Sequence, residues 1–408
     1  VDLRRNPFRH SVSLLGPAFV AAIAYVDPGN VAANVTAGAR YGYLLLWVLV
    51  ASNLVAVVVQ YQSAKLGLAT GRSLPELLGG RMRRVPRLAF WAQAELVAAA
   101  TDLAEVLGGA IALQILFGLP LVIGGAIVGV VSMLLLEVQS RSGQRQFEFV
   151  IIGLLVVITV GFLAGLFVKL PEASALLGGL RPRFAGTDSV ILAASMLGAT
   201  VMPHAIYVHS ALARDRHKTV AAEQLPTLLR ATRTDVAGAL ALAGVVNVAM
   251  LLLAAANLQG VAGTDTIAGA HAAIAAALGP LVGAVFGVGL LASGLASTSV
   301  GSYAGSTIME GLLHWHVPLL TRRAVTLVPA LVVLALGAEP TWALVLSQVV
   351  LSFGIPFALV PLGLLTSNRE VMGAAVNGAA TRLLLGAIVV TVVALNIVLL
   401  VLLALGRS

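Results

Sequence analysis

Cysteine is absent from the 408 residues, which rules out disulfides, thiolate metal ligands and a cysteine nucleophile. Charge is scarce too: Asp, Glu, Lys and Arg make up 10% of the chain, against 59% apolar residues. A water-soluble domain needs a polar outer face, and this composition has too little to build one. What the chain has instead is apolar length. Stretches of the roughly 20 residues that cross a bilayer core recur from about Ser11 to the C-terminus, so the chain reads as one integral membrane domain in a lipid bilayer. It begins at Val1 rather than at a methionine; we expect a trimmed N-terminus and no cleavable secretory signal.

The pattern predicts an all-α polytopic protein with eleven transmembrane helices, at residues 12–39, 43–67, 87–117, 120–137, 147–168, 188–212, 231–258, 280–313, 322–338, 341–365 and 380–405. A further apolar stretch, Thr266 to Leu278, is too short to cross and is expected at the surface. Assigning alternate connections to opposite sides places twenty Lys and Arg with the N-terminus and five, Arg40, Lys169, Arg181, Arg183 and Arg407, on the other side. By the positive-inside rule the N-terminus is cytoplasmic and the C-terminus external. The net charge of +8 is then mostly a matter of topology, and no nucleic-acid partner is expected.

Two spans carry breaks at their centres. The first reads Ala24-Tyr25-Val26-Asp27-Pro28-Gly29-Asn30 and the sixth Ala199-Thr200-Val201-Met202-Pro203-His204. Proline lacks an N–H and clashes with the preceding turn, so both helices should unwind there. Both fit A-x-V-x-P, and the prolines at 28 and 203 are five spans apart. Five is odd, so residues 188–365 read as an upside-down copy of residues 12–168, with 380–405 as an extra helix. Inverted repeats with an interrupted helix at the same place in each half mark the substrate site of many secondary transporters, because unwound backbone is tolerated at membrane depth only where it is protein-covered or lines a cavity.

A carboxylate in mid-membrane is a functional hypothesis by default. Around Asp27 the breaks offer the Asn30 amide oxygen, the Met202 thioether and the backbone carbonyls freed by the prolines, foremost those of Ala24 and Ala199. One anion, several neutral oxygens and one soft sulfur describe a cation site. The sulfur favours Mn²⁺, Fe²⁺ and later ions over Mg²⁺ and Ca²⁺; the alternative for Met202 is packing, since methionine fills irregular gaps.

These residues resemble the Nramp (natural resistance-associated macrophage protein) divalent metal transporters. Asp27-Pro28-Gly29-Asn30 and Met202-Pro203-His204 match that family's two signature motifs, and the resemblance extends over essentially the whole chain. It implies a LeuT-type fold, proton-linked import of Mn²⁺ or Fe²⁺, and metal binding by Asp27, Asn30, Met202 and the Ala199 carbonyl. It further implies that the Ala24 carbonyl and Gln348 join in some conformations. Members lacking the methionine are associated with Mg²⁺, and Met202 argues against that branch.

Span 3 adds Glu95, Asp102 and Glu105, which share one helix flank. With His204 beside the second break, a relay of Asp27, His204, Asp102 and Glu105 leading inward, ending at Arg322 or Arg323, would carry protons. The resemblance implies such a route through spans 3 and 9. The competing reading is that these acids pair with arginine only to fix helix packing; His209 divides the same way. Asn53 and Asn247 are expected to bond to neighbouring helices.

No prosthetic group is expected, only transported metal and protons. Two other functions remain open from the residues: an organic-substrate transporter of the same fold, which Asp27 would hinder by repelling a substrate carboxylate, and a metal channel. The spans contain no H-E-x-x-H pair and no G-x-S-x-G elbow, and an enzyme is not expected.

Overall fold

A computed structural model describes residues 17–142, 144–168, 173–217, 223–264, 266–337 and 339–405. The start of the first expected span, at 12–16, and the charges counted at Arg4, Arg5, Arg9, Lys169, Lys218 and Arg407 lie outside the described residues.

The described residues are helical throughout their ordered elements. The first span is split into α1 (Pro17–Ile23), a 3-10 turn (Ala24–Val26) and α2 (Pro28–Tyr41). Then come α3 (Leu46–Thr70), a short α4 (Leu74–Gly79), α5 (Arg84–Phe117), α6 (Leu121–Ser142), α7 (Gln144–Val168) and a short α8 (Ala173–Gly179). The second half opens with α9 (Thr187–Thr200) and α10 (Pro203–His217), the two parts of the sixth span. It continues with α11 (Leu225–Asn257), the short α12 (Ile267–Leu278), α13 (Pro280–Leu313), α14 (Leu319–Ala335) and α15 (Pro340–Thr366). A small α16 (Arg369–Met372) leads to α17 (Ala379–Ala404).

Among the described residues, eight helical segments are long and apolar enough to cross a membrane. The three other expected spans are also helical. The first is broken into short pieces, Leu121–Glu137 counts as a shorter apolar helix, and α14 has 17 residues. The Thr266 to Leu278 stretch forms the 12-residue α12, well short of a crossing.

The packing has the internal symmetry that the paired prolines imply. The second half of span 1 packs on span 7 (α2 on α11), and the second half of span 6 packs on span 2 (α10 on α3). Span 5 packs on span 8 (α7 on α13), and span 10 packs on span 3 (α15 on α5). Exchanging spans 1–5 with 6–10 turns each pairing into its mate, which is the relation an inverted repeat requires. The broken helices lie at the centre of this arrangement: most residues of α2, α9 and α10 are buried, including every one beside the breaks. The outward faces of α7, α14 and α17 carry exposed Val, Leu and Ile, as lipid-facing helices do.

Close approach dictates small residues where the helices cross. A Cβ on Gly108 of α5 would collide with Pro28, and one on Gly67 of α3 would collide with the Ser210 carbonyl of α10. Without driving force from water, membrane helices gain from such tight backbone contact.

Candidate functional site

The first break is built by its own sequence. Asp27 is the N-cap of α2, with Pro28 in the first turn where a missing N–H costs nothing. Its Oδ1 accepts the Asn30 backbone N–H at 2.7 Å. The second break is shorter: α9 stops at Thr200, and only Val201 and Met202 separate it from Pro203. Each proline strips the carbonyl four residues earlier of its helical partner. Those carbonyls belong to Ala24 and Ala199.

Both freed carbonyls meet at one point. Asn30 Nδ2 donates to the Ala199 carbonyl at 3.0 Å, to the Ala24 carbonyl at 3.4 Å and to Asp27 Oδ1 at 2.9 Å. An amide nitrogen carries two protons, so three acceptors crowd around two donors. Asp27 Oδ2, Asn30 Oδ1 and Gln348 Oε1 are buried and have no hydrogen-bond partner. Unpaired buried oxygens are costly and call for an explanation. A cation would supply what these unpartnered oxygens lack.

Gln348 reaches the pocket from α15. A Cβ on Gly29 would collide with its side-chain amide, and a Cβ on Gly198 would collide with its backbone carbonyl. Gln348 therefore lies against both broken helices at once, and the glycine of the D-P-G-N motif is explained by that approach. Met202 is fully buried at the second break. Asp27, Asn30, Ala24, Ala199 and His204 are buried as well, so no open water reaches them.

Two further side chains hold the break open, and their role is not evident in the motif. Asn247 of α11 donates to the Tyr25 carbonyl at 2.6 Å, and Ser293 of α13 donates to the Val26 carbonyl at 2.6 Å. Asn247 in turn accepts from Asn34 of α2 at 2.8 Å. It bonds across helices as expected of an intramembrane amide. Asn53 does not: its Nδ2 donates to Leu49, four residues earlier in its own helix, because an intrahelical carbonyl lies within easy reach of a short amide.

The acids of span 3 separate into different surroundings. Gly108 touches Pro28, so Glu105 stands about one turn from the break and Asp102 about two turns from Gly108. Along α5, Glu105 thus lies nearer the first break than Asp102 does. Glu105 lies against Gly301 of α13 and its Oε2 has no partner. Asp102 faces Arg323 across 3.5 Å. Arg323, fully buried, also donates to Ser132 Oγ of α6 at 2.9 Å.

Arg322 departs from its expected place at the end of the relay. It forms a two-pronged pair with Glu95, at 2.7 and 3.1 Å, because consecutive residues on α14 point in different directions and Glu95 is nearly two turns from Asp102. His204 touches span 3 through a residue that the sequence reading passed over: its Nδ1 lies 3.4 Å from Thr101 Oγ1, while Nε2 is unpartnered. His209 bonds to Gln60, which bonds to the Tyr25 hydroxyl. The polar Gln60 within the apolar run of α3 was the available signal for this second chain.

Comparison with known proteins decides the kinship. The model of the "Natural resistance-associated macrophage protein-like" family, Nramp, matches residues 18–402. The chain belongs to the Nramp family. A divalent metal cation transporter MntH of Mycobacterium tuberculosis H37Rv is 61% identical over 403 residues, spanning 98% of this chain and 94% of the relative. The Eremococcus coleocola manganese transporter, solved with an aromatic bis-isothiourea substituted compound, superposes with a TM-score of 0.87 at 30% identity, covering 98% of this chain and 88% of that one. MhsT, solved in complex with L-phenylalanine, matches at a TM-score of 0.60 and 15% identity over 94% of this chain and 97% of its own; that likeness shows the shared fold alone. The Nramp chain is thus an all-α membrane protein of the LeuT type with discontinuous first and sixth helices.

Proposed function

We propose that this chain is a proton-linked secondary transporter that imports divalent transition-metal ions, Mn²⁺ or Fe²⁺, across the cell membrane by alternating access. The observation that carries the reading is the set of buried, unpartnered oxygens on Asp27, Asn30 and Gln348, gathered with the Ala24 and Ala199 carbonyls at two helix breaks. Asp27 supplies the one negative charge, the amide and carbonyl oxygens replace part of the hydration shell, and the Met202 sulfur biases the choice toward softer ions.

A transported ion must also leave. The proposed ligands hold one full charge, at Asp27, among neutral donors. That composition suits a cargo held briefly. The names of the M. tuberculosis and E. coleocola relatives support the same substrate class.

The half-repeats at 12–168 and 188–365 would rock about the shared site, with the helix at 380–405 outside the moving pair. Charge distribution orients the N-terminus to the cytoplasm and the C-terminus outside. Asp27, His204, Glu105, Asp102 and Arg323 form the proton side of the mechanism, with Arg322 anchored on Glu95.

Purified protein in liposomes tests this directly. Mn²⁺ uptake should saturate, should be competed by Fe²⁺ and Cd²⁺, and should acidify the lumen. Uptake that rises linearly with concentration and ignores pH would instead favour a channel.

A further inference from the structure

Three helices, α3, α11 and α17, leave a groove of about 420 Å³ between them, lined by Val57, Val58, Tyr61, Gln62, Arg233, Ala237, Thr381 and Leu384. It lies on the outer wall of the bundle, away from the metal site. All its lining residues fall toward the same end of the molecule: the second half of α3, the early turns of α11 and the first turns of α17. That is the end where the arginines gather.

The groove has the polarity of a phospholipid. Its aliphatic lining comes from Val57, Val58, Ala237 and Leu384, and its polar lining, about one turn away along the same helices, from Tyr61, Gln62, Arg233 and Thr381. Among the described residues Arg233 has no carboxylate partner, and α11 is 33 residues long, about 50 Å. It exceeds a hydrocarbon core of roughly 30 Å, so its early turns reach headgroup depth. Two more cations stand close by in the fold with only neutral partners. Lys65, one turn beyond Tyr61, donates to Asn377 Oδ1 at 2.7 Å, and Arg382, next to Thr381, donates to the Asn377 carbonyl at 2.9 Å.

An unpartnered acceptor points to the same ligand. Gln62 is 3% exposed, and its Oε1 has no hydrogen-bond donor. An uncompensated buried acceptor in the wall of a cationic groove asks for a donor that arrives together with negative charge. A headgroup bearing both a phosphate and a hydroxyl meets both needs, and its acyl chains continue along the aliphatic lining.

We propose that this groove is a specific seat for an anionic phospholipid with a hydroxyl-bearing headgroup, of the phosphatidylglycerol type. Its phosphate sits at Arg233 with the Tyr61 and Thr381 hydroxyls, and its headgroup hydroxyl donates to Gln62. The occupied seat ties together α3, α11 and α17, of which the first two pack against the broken helices and the last lies outside the repeat.

The test is native mass spectrometry of the full chain in detergent, titrated with phosphatidylglycerol, phosphatidylcholine or phosphatidylmethanol of identical acyl chains. Phosphatidylglycerol should be retained at least tenfold better than phosphatidylcholine, and that retention should fall about tenfold in Arg233→Gln. It should stay unchanged in Arg81→Gln, which removes the same charge from an exposed loop position. Phosphatidylmethanol has the charge without the hydroxyl; it should bind more weakly than phosphatidylglycerol to the parent and equally to Gln62→Leu. Glycerol phosphate without acyl chains should not displace the lipid. Equal loss in the two arginine variants, or equal retention of phosphatidylcholine, would overturn the seat. Parity of phosphatidylmethanol and phosphatidylglycerol on the parent would overturn the role of Gln62.

Discussion

Asn30 and Ala199, 169 residues apart in the chain, are joined by a 3.0 Å hydrogen bond from the Asn30 side-chain amide to the Ala199 carbonyl. The bond exists because Pro203 cannot donate to that carbonyl, and it ties the broken helix of one half to that of the other. The same amide reaches Asp27 and Ala24. One amide nitrogen thus faces three acceptor oxygens with two protons, at the position that the proposed cation would take.

Asp27 is expected to be the indispensable anion of the proposed site. Asp27→Ala removes the only full negative charge among the proposed ligands and leaves nothing to offset dehydration of a divalent ion. Mn²⁺ uptake by reconstituted Asp27→Ala should fall to the level of empty liposomes, while the protein still elutes as a single species on size exclusion. The lost N-cap bond at Asn30 costs only about 1 kcal/mol, too little to unfold the bundle. Uptake near the parent's rate would remove Asp27 from the site.

Met202 should act as a filter more than as a source of affinity. Met202→Ala keeps every oxygen donor, so Mn²⁺ should still be carried, Ca²⁺ and Mg²⁺ should enter more readily and Cd²⁺ binding should weaken most. Isothermal titration with the four ions reads this out. A variant that rejects Ca²⁺ as well as the parent and retains Cd²⁺ affinity would assign the sulfur to packing.

Asn247 and Ser293 are expected to hold the first break in shape. Each satisfies a carbonyl that the unwound turn exposes, at Tyr25 and Val26. Leaving a buried acceptor unpaired costs about 1–3 kcal/mol. Asn247→Ala and Ser293→Ala should therefore lower Tm by several degrees and weaken Mn²⁺ binding several-fold, with the preference for Mn²⁺ over Ca²⁺ unchanged because no ligand is lost. A drop in Tm with intact Mn²⁺ affinity would mean that the two side chains brace the bundle without shaping the site.

That Asp27, Asn30 and the Ala24 and Ala199 carbonyls come together was legible in the sequence because proline chemistry is local: a proline names the carbonyl it strips. The inverted repeat was legible because the spans are long and the breaks sit in register. Gln348 was not, beyond the family resemblance, since its proximity to Gly29 and Gly198 is created by α15 packing across both halves. The same holds for Thr101 beside His204 and for the split of Arg322 to Glu95 and Arg323 to Asp102. Those depend on how α5 is rotated against α10 and α14, and a single helical wheel fixes angles on one helix without fixing what faces them.

Glu76 gives a pH signature outside the membrane spans. Burial works against its charge, but the Ser73 backbone and hydroxyl and the Arg214 guanidinium outweigh that and hold its pKa below the usual glutamate value. A depressed folded-state pKa contributes stability that is present above the unfolded pKa and is lost as pH falls through the folded one. Glu76→Gln should thus lower Tm at pH 7, and the gap to the parent should close as the pH drops below the ordinary glutamate range. A gap independent of pH would show that the Arg214 pair at 2.5 Å contributes no net charge stabilisation.

Proton linkage is expected to run through Glu105, Asp102 and His204. A negative-inside potential alone favours entry of a divalent ion by about 4.6 kcal/mol per 100 mV, twice the single-charge value, so protons are not needed as a driving force. Their proposed part would be to gate or accompany the metal. Glu105 lies nearest the break with an unpartnered oxygen, Asp102 faces the buried Arg323, and His204 meets the same helix at Thr101. Neutralising Glu105 or Asp102 should therefore weaken metal-stimulated acidification and flatten the pH dependence of uptake, while Mn²⁺ affinity at Asp27 stays within a few-fold of the parent. Glu105→Gln should act more strongly than Asp102→Asn, since Asp102 is paired with Arg323 whereas Glu105 would be the first acid a proton meets on leaving the proposed metal site. Paired measurements of ⁵⁴Mn²⁺ flux and lumenal pH in liposomes separate the two effects. Unchanged pH dependence in Asp102→Asn, Glu105→Gln and His204→Ala would show that these residues only pack the helices and that protons take another path, for which the chain of His209, Gln60 and Tyr25 is the next to remove.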